Sequence, residues 1–329
     1  MTNEQPDPTC RVGFVGTGNL GSRVVAKLLE ADYAVTVHDA RREAATGCIA
    51  GGAAWAPSAA AAAAHADTVI TCLPTPRAVA VAVAGEGGVL TGIRAGACWI
   101  DLSTNDADEL CRLAALASAS GVDTLDAPVT GGVHKAATGE LAVLVSGRPE
   151  VFAAQRRLLE SVGCKVFYLG PLGQASKMKV ITNMLAFVHL VAAGEALMLA
   201  GRAGIDLKEA FEAIKASSGN SFVHETESQV ILSGSYDIGF TLDLACKDLE
   251  LVSRLAADLG VPVEVAGVAR QQFVRARARY GGGAWSPRVV QLLEDEVGVR
   301  LRAAGFPRSL LSPSEVGEVG NDIGDESAR

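Results

Sequence analysis

The sequence VGFVGTGNLG at residues 12–21 joins an apolar run to the pattern Gly-x-Gly-x-x-Gly. The run Val12–Val15 predicts a buried β-strand, and a helix is expected to start after the last glycine. Glycines at these spacings allow a tight turn and a close backbone approach, and the helix N-terminus offers free N–H groups to a pyrophosphate. The stretch therefore predicts a dinucleotide-binding βα unit. Its expected contact residues are Gly16, Thr17, Gly18, Asn19, Leu20 and Gly21.

An acidic residue, Asp39, follows the second predicted strand, Ala34–His38. A carboxylate there would accept hydrogen bonds from the adenosine ribose and repel a 2′-phosphate, which favours NAD. Arg41 and Arg42 follow closely, and their guanidinium groups either hold the 2′-phosphate of NADP or are simply solvated. NAD is therefore the expected cofactor and NADP the alternative.

The region from Arg11 to about Tyr168 alternates short β-rich runs with Ala-rich helical runs. This alternation predicts an α/β Rossmann domain with a doubly wound, largely parallel sheet. The alanine run at residues 58–64 predicts a surface helix. The further predicted strands are Thr68–Leu73, Ala97–Leu102, Thr124–Ala127, Leu141–Val145 and Lys165–Tyr168.

The pattern after residue 173 is helical, which predicts an all-α second domain joined to the first by a long interdomain helix over about residues 175–203. At 1.5 Å per residue this helix would be roughly 40 Å long. The other predicted helices are Leu207–Ser217, His224–Leu232, Asp243–Leu259, Val261–Ala278 and Pro287–Ala304. The expected organisation is a flexible lead-in (1–10), the Rossmann domain (11–172), the helical domain (173–308) and a disordered acidic tail (309–329).

Composition argues against several function classes. The formal net charge is −8 with no basic block, so nucleic acid is not an expected partner. We expect no signal peptide and no membrane span, because Asn183, His189 and Glu195 interrupt the most apolar segment. The seven cysteines form no CxxC pair and predict reduced core residues of a cytoplasmic protein.

Two further segments follow predicted strands, CLPTP at residues 72–76 and DLSTN at residues 101–105. Ligands of doubly wound sheets lie at the carboxyl ends of the strands. Leu73, Pro74 and Thr104 are therefore expected to line the nicotinamide half of a dinucleotide site.

Four motifs occur in order along residues 11–305. They are GFVGTGNLG (13–21), DLSTN (101–105) with DAPVTGG (126–132), GQASKMKVITNML (173–185) and FTLDLACKDL (240–249). Together they resemble the β-hydroxyacid dehydrogenases, which include 3-hydroxyisobutyrate dehydrogenase and glyoxylate/succinic semialdehyde reductase. The second and third motifs are far more specific than the glycine loop. The resemblance implies a nicotinamide-binding first domain and an active site in the cleft between the two domains.

The resemblance also implies residue roles. Thr130, Gly131 and Gly132 would hold the substrate carboxylate, although the family usually has serine at the first of these positions. Lys179 matches the catalytic lysine and Asn183 its partner. The pocket residues contributed by the helical domain would be Phe240, Lys247 and Asp248, with Lys247 also near the cofactor.

Helical spacing independently favours Lys179 over Lys177. Lys179 and Asn183 are four residues apart and share a face, whereas Lys177 is about 200° from Lys179 around the helix. Met178, Val180 and Ile181 flank Lys179, so we expect it to be partly desolvated. Desolvation lowers a lysine pKa toward neutrality, where the amine can both give and take a proton.

Three other polar segments have alternative interpretations. His134 follows the Thr130 loop and either contacts substrate or is a satisfied polar residue. Residues 217–221 either contact substrate or end one helix and cap the next. The run ETESQ at residues 225–229 is interpreted as a solvated helix face.

The function expected from these features is an NAD(P)-dependent oxidoreductase that interconverts a small β-hydroxyacid and its semialdehyde, with Lys179 as general acid and base. The alternatives are an imine reductase, which usually carries Asp or Tyr at the lysine position, and a non-catalytic dinucleotide-binding protein. The expected partners are a small anionic substrate and further copies of the chain, because the long apolar helix predicts a homodimer or homotetramer.

Overall fold

The computed structural model describes residues 10–311. The predicted lead-in and acidic tail fall almost entirely outside this range. The strands are β1 (Arg11–Val15), β2 (Ala34–His38), β3 (Ala54–Trp55), β4 (Thr68–Thr71), β5 (Cys98–Asp101), β6 (Asp123–Asp126), β7 (Val129–Thr130), β8 (Ala142–Gly147) and β9 (Lys165–Tyr168). The helices of the first domain are α1 (Gly21–Glu30), α2 (Thr46–Ala50), α3 (Ala59–Ala63), α4 (Pro76–Ala84), α5 (Val89–Gly92), α6 (Ala107–Ala119), α7 (Gly132–Thr138) and α8 (Pro149–Val162).

The strands form one sheet in the order β3-β2-β1-β4-β5-β6-β8-β7, and β9 also pairs with β8. The pairs from β3 to β6 are parallel, whereas β8 is antiparallel to β6 and β7. The order 3-2-1-4-5-6 is that of the doubly wound dinucleotide-binding fold. The Rossmann prediction is therefore confirmed, although the short strands β3 and β7 were not among the predicted strands.

Two apolar layers cover the sheet, because successive side chains of a strand face opposite ways. Phe14 packs in the layer that contains α1 and α8, and its neighbour Val15 packs in the layer that contains α3, α4 and α6. On the neighbouring strand β4, Ile70 packs in the first of these layers and Val69 in the second. Burial on both faces explains why these strands are continuous apolar runs.

The second domain is all-helical, as predicted. Its helices are α9 (Gln174–Arg202), α10 (Leu207–Lys215), α11 (Phe222–Ser233), α12 (Leu242–Asp258), α13 (Glu264–Tyr280) and α14 (Arg288–Val297). The core forms around the second half of α9, where Phe187, Leu190 and Leu197 are buried. Gly194 lets α14 approach closely, since a Cβ there would lie 2.6 Å from a methyl of Val290.

The first turn of α9 is anchored to the sheet of the first domain. Asp126, at the end of β6, accepts hydrogen bonds from the Ser176 backbone N–H at 2.7 Å and the Ser176 hydroxyl at 2.9 Å. Ser146 of β8 accepts the Ala175 N–H at 3.1 Å. These side chains satisfy the free N–H groups of a helix that has no side-chain cap of its own. The interdomain helix is thus fixed in both domains.

Two expectations about helices are wrong. The alanine run forms α3, which exposes Ala61 but buries Ala59, Ala62 and Ala63 against the sheet, and a Cβ on Gly13 of β1 would collide with the carbonyl of Ala62. The interpretation as a surface helix is therefore wrong for this buried face, where close packing requires alanine. The last helix ends at Val297 and does not continue to residue 304, because Gly298 adopts the left-handed conformation that terminates helices.

Within residues 10–311, α9 is the one helix long and apolar enough to cross a membrane, with a hydropathy of 1.8. Core helices of soluble proteins pass the same test, and α9 packs against α11, α12, α13 and α14. Within residues 10–311 no disulfide joins the cysteines. Cys111 and Cys164 are exposed, so the interpretation as core residues is wrong for these two.

Candidate active site

A cleft of about 1150 Å³ lies between the carboxyl ends of β1, β4 and β5 and the helices α9, α11 and α12. Residues of both domains line it. Its volume slightly exceeds the roughly 300–1,000 Å³ of ordinary small-molecule pockets. The edge of the sheet at which it opens is the one where doubly wound folds bind their ligands.

The three glycines of the first βα turn have different surroundings. Gly16 has φ +101°, and a Cβ on it would collide with the carbonyl of Cys72. A Cβ on Gly21 would collide with the carbonyl of Gly16. Gly18, in contrast, has no heavy atom within 4 Å of its Cβ position and borders the cleft. The first and third glycines are needed by the fold itself, whereas the second leaves space for a ligand.

The carboxylate of Asp39 is held by the backbone at the end of β2. Its Oδ2 accepts the Thr17 N–H at 2.8 Å, and its Oδ1 accepts the Arg41 N–H at 2.9 Å. Arg41 borders the cleft, but the guanidinium of Arg42 lies 5.5 Å from the ring centroid of Trp55. Thr17 is buried and does not line the cleft, so it positions Asp39, and its predicted contact with a ligand is not supported.

The ends of β4 and β5 contribute Leu73, Pro74 and Thr104 to the cleft, as expected. The hydroxyl of Ser103 accepts the Leu73 N–H at 2.9 Å and so ties the two strand ends together. Lys247 of α12 donates to the Thr104 carbonyl at 3.0 Å. This hydrogen bond crosses from the helical domain to the first domain.

The loop of Thr130, Gly131 and Gly132 forms another wall of the cleft, between β7 and α7. Gly131 has φ +126° and Gly132 has φ +79°, values that side-chain-bearing residues rarely adopt. The sequence therefore needs glycine at both positions to turn the strand into the helix. The helix begins without a side-chain cap.

Lys179 lies in the cleft wall on α9 and is 8% exposed. Burial lowers its pKa from 10.5 to about 8; Asp248 opposes this and Lys247 adds to it. Within residues 10–311 its ammonium makes no hydrogen bond. Lys177, on the same helix, does not line the cleft. The predicted desolvation is confirmed in direction. Its source is the cleft and the packed helices, because Met178 and Ile181 face outward.

Asn183 lies one turn beyond Lys179 and also faces the cleft. Its side-chain N–H donates to Asp248 Oδ2 at 2.6 Å, so its partner here is Asp248 and not the lysine. Lys247 Nζ lies 2.7 Å from Asp248 Oδ1, in an ion pair without hydrogen-bond angles. The buried carboxylate thus links the asparagine to the second lysine.

Apart from Thr17, every residue expected from the sequence lines this one cleft, including Asn19, Leu20 and Phe240. Phe240 stacks at 6.1 Å on Phe187. The Ser217–Ser221 loop does not reach the cleft; Ser221 caps α11 by accepting the His224 N–H at 3.0 Å.

Two further residues line the cleft; His134 agrees with the first of its two interpretations, and Glu227 departs from its interpretation. His134 lines the cleft, stacks on Phe222 at 6.0 Å and has a buried Nε2 without a partner among the described residues. Burial is the main cause that lowers the pKa of His134. Glu227, which was interpreted as part of a solvated face, also lines the cleft. One turn of α11 separates it from Val223, another lining residue, and this helical spacing was the available signal.

These features define the class: a two-domain nicotinamide-dependent oxidoreductase with its site between a Rossmann domain and a helical domain. Residues 11–170 match the family model described as the NAD-binding domain of 6-phosphogluconate dehydrogenase. Residues 173–293 match the model described as NAD-binding of NADP-dependent 3-hydroxyisobutyrate dehydrogenase.

Two relatives named as dehydrogenases agree with this class, and a third is named as a nuclear factor. Mitochondrial 3-hydroxyisobutyrate dehydrogenase of Mus musculus is 32% identical over 269 residues, 80% of each chain. 2-(Hydroxymethyl)glutarate dehydrogenase of Eubacterium barkeri is 29% identical over 294 residues, 89% of this chain and 98% of the relative. Cytokine-like nuclear factor N-PAC of Homo sapiens is 31% identical over 268 residues, 82% of this chain but 48% of its own length. The chain belongs to the β-hydroxyacid dehydrogenase family.

Solved structures show the same architecture. The Mycobacterium tuberculosis 3-hydroxyisobutyrate dehydrogenase with L-serine is 31% identical, with a TM-score of 0.77 over 86% of this chain and 99% of the other. A complex of Psf3 with NADP+ and 2-OPP is 30% identical, with a TM-score of 0.80 and the same coverage. An imine reductase from a Pseudomonas species is only 18% identical with a TM-score of 0.59 over 86% of this chain and 99% of the other, a likeness of fold alone.

Proposed function

We propose that the protein interconverts a small β-hydroxyacid and its semialdehyde, using NAD, with Lys179 as the general acid and base. The observation that carries the proposal is a buried lysine, with its pKa lowered to about 8, in a cleft shared with a glycine-rich dinucleotide loop. The direct test is turnover of a panel of acid-bearing aldehydes and cyclic imines with NADH or NADPH. Reduction of imines alone would overturn the proposal.

The residues fit a bound dinucleotide. Gly18 leaves open space beside the uncapped N-terminus of α1, which has no acidic residue in its first turn. Asp39 keeps lone pairs free to accept from a ribose. When bound, the nicotinamide supplies or accepts the hydride.

The protein side chains would handle the charge and the proton. The Thr130 hydroxyl and the N–H groups of the following glycines would bind the acid group of the substrate. Lys179 would give a proton to the carbonyl oxygen in reduction and take the hydroxyl proton in oxidation. Asn183, bonded to Asp248, would present its carbonyl oxygen toward the lysine or the substrate. Lys247 has hydrogen-bonding capacity left beyond Thr104 and Asp248.

The kcat/KM values for aldehyde reduction and for hydroxyacid oxidation are expected to depend on pH in opposite ways. Reduction needs protonated Lys179, so its kcat/KM should fall as the pH rises through about 8. Oxidation needs the neutral amine, so its kcat/KM should rise over the same interval. Initial rates in both directions between pH 6 and pH 10 measure this. Profiles with no change near pH 8, or with the same sign in both directions, would contradict the assignment.

The preference for NAD rests on the charge of Asp39. Asp39→Asn keeps a hydrogen-bond acceptor for the backbone but removes the charge that repels a 2′-phosphate. The kcat/KM ratio of NADH to NADPH is expected to fall by about tenfold, as for a change of roughly 1.4 kcal/mol. Arg42→Ala is the matched control, since that guanidinium is over Trp55. A wild-type preference for NADPH, lost in Arg41→Ala, would instead assign NADP.

A second copy of the chain is proposed to cover the outer face of α9. Met178, Ile181 and Leu185 follow one another at helical spacing there, and each is at least 39% exposed. Light scattering should therefore give the mass of a dimer or tetramer, and Leu185→Lys should weaken the association between subunits. A monomeric wild type at micromolar concentration would refute this assembly.

A further inference from the structure

The carboxylate of Asp126 lies outside the cleft and connects the two domains. The residue ends β6, is fully buried and does not line the cleft. Its Oδ2 accepts the Ser176 N–H at 2.7 Å and the Ser146 hydroxyl at 3.1 Å, and its Oδ1 accepts the Ser176 hydroxyl at 2.9 Å. Because Ser176 lies in the first turn of α9, Asp126 joins the sheet to the helix that carries Lys179.

On the sheet side, Asp126 is close in sequence to the Thr130 loop, which it precedes by four residues. The intervening backbone is held by hydrogen bonds. The Pro128 carbonyl accepts the Leu144 N–H at 2.9 Å, and β7 then pairs with β8. A carboxylate fixed at Asp126 therefore shares one restrained segment with the loop that is proposed to bind the acid group.

On the helix side, Lys179 follows Ser176 by three residues, which is nearly one helical turn. The hydrogen bonds of Asp126 reach both the backbone N–H and the hydroxyl of Ser176. Two bonds to one residue restrain the start of α9 both along its axis and around it. The position of the Lys179 amine thus depends on Asp126.

The neighbouring Asp101 provides a contrast. It is the register partner of Asp126 on β5 and is also fully buried. It accepts hydrogen bonds from Thr71, Ser103 and Asn105, all of which belong to the first domain. Asp101 therefore organises one edge of the sheet, whereas Asp126 extends the same kind of contact to the helix of the second domain.

The charge of Asp126 suits a positioning role. Burial is the main cause that raises the pKa of Asp126 to about 7, and the bonds from Ser176 oppose the rise. Hydrogen bonds to an ionised acceptor are shorter and roughly twice as strong as neutral ones, and the 2.7 Å bond from the Ser176 N–H has such a length. Tight restraint matters here, because a displacement of about 1 Å can lower a rate roughly 10²-fold.

We propose that Asp126 is a positioning residue that fixes the spacing between the amine of Lys179 and the Thr130 loop, an inference that rests on the proposed function. A β-hydroxyacid would be held by its acid group at that loop while its hydroxyl meets Lys179, so its oxidation needs both groups at one spacing. An alcohol without an acid group is held at the amine alone and can follow it when α9 moves. Loss of Asp126 should therefore slow the acid-bearing substrate more than the acid-free one.

The test compares oxidation of 3-hydroxypropanoate with oxidation of 1-propanol, which has a methyl group in place of the carboxylate. At pH 9 the carboxylate of Asp126 is ionised and the amine of Lys179 is mostly neutral. Asp126→Ala should lower kcat/KM for 3-hydroxypropanoate about 100-fold and the acid to alcohol ratio of kcat/KM at least about tenfold. Fluorescence titration should give an unchanged Kd for NADH.

Two further variants accompany this one. Asp123→Ala is the matched control, because Asp123 lies on the same strand and pairs with Arg148 at the surface; the ratio should not change. Ser176→Ala removes the hydroxyl bond but keeps the N–H bond, so the ratio should fall about 2- to 10-fold. This milder variant decides the question if Asp126→Ala does not fold.

Equal losses for the two substrates, or an unchanged ratio, would show that Asp126 has a general structural role, which overturns the inference and leaves the proposed function standing. If the wild type oxidises only 3-hydroxypropanoate, or neither compound, acetylation of Lys179 by acetic anhydride at a series of pH values decides instead, followed by peptide mass spectrometry. Oxidation of neither compound counts against the proposed function alone.

The acetylation midpoint of Lys179 should be about 8 in the wild type and in Asp123→Ala. It should rise toward 10.5 in Asp126→Ala, because a displaced helix start admits water to the amine and relieves its desolvation. The same midpoint in all three proteins would overturn the inference, whether or not a hydroxyacid is oxidised.

Discussion

Lys179→Met is expected to lower kcat for hydroxyacid oxidation by about 10²- to 10⁴-fold, the usual contribution of a positioned general acid or base. Methionine preserves much of the side-chain volume in a site that is 8% exposed, so the fold should persist. Cofactor binding should also persist, because the dinucleotide loop lies on β1 and α1. Stopped-flow absorbance and fluorescence titration with NADH measure the two quantities separately.

Lys177→Met is the matched control for this experiment. The two lysines are two residues apart on α9, but Lys177 does not line the cleft. Its replacement should change kcat by less than about threefold. Near-normal turnover by Lys179→Met would show that another group transfers the proton. Equal losses in both variants would indicate a general effect on α9 and not a proton-transfer role.

Gly18→Ala is expected to weaken NADH binding about 10- to 100-fold without lowering Tm. Nothing lies within 4 Å of the added methyl in the free protein, so the fold tolerates it. The methyl would occupy the space proposed for the pyrophosphate, and overpacking of this kind typically costs about 1–3 kcal/mol. Fluorescence titration and thermal denaturation measure the two effects.

Gly21→Ala should show the contrasting result. Its methyl would collide with the Gly16 carbonyl inside the turn, so Tm should fall whether or not cofactor is present. If Gly18→Ala binds NADH as tightly as the wild type, the dinucleotide does not approach this loop as proposed. Unchanged Tm in Gly21→Ala would show that the turn can rearrange.

The sequence was sufficient for features encoded by local spacing. The glycine loop, the largely parallel sheet and the shared face of Lys179 and Asn183 follow from the alternation of strands and helices, from helical periodicity and from turn chemistry. Features that depend on long-range proximity were not predictable. The hydrogen bond from Lys247 to Thr104 joins residues 143 positions apart. Three alanines of α3 are buried, and a strand glycine faces one of them, which alanine propensity does not reveal.

Glu227 shows the same limit within the candidate site. Its segment is polar, and polar residues on a helix usually face water, so the sequence favoured a solvated face. Only the packing of α11 against α9 turns that residue toward the cleft. The sequence pattern could place Lys179 and Asn183 because these polar residues interrupt an apolar helix, whereas a polar helix face gives no such contrast.

The buried amine of Lys179 also has a consequence for how the protein can evolve. The difference between 10.5 and about 8 corresponds to roughly 3 kcal/mol of lost folding stability while the amine is charged. That loss diminishes only as the pH rises from about 8 toward 10.5, where the unfolded chain stays protonated and the folded one does not. Selection for heat resistance alone would replace the lysine, whereas its proposed role in proton transfer would require selection for turnover to retain it.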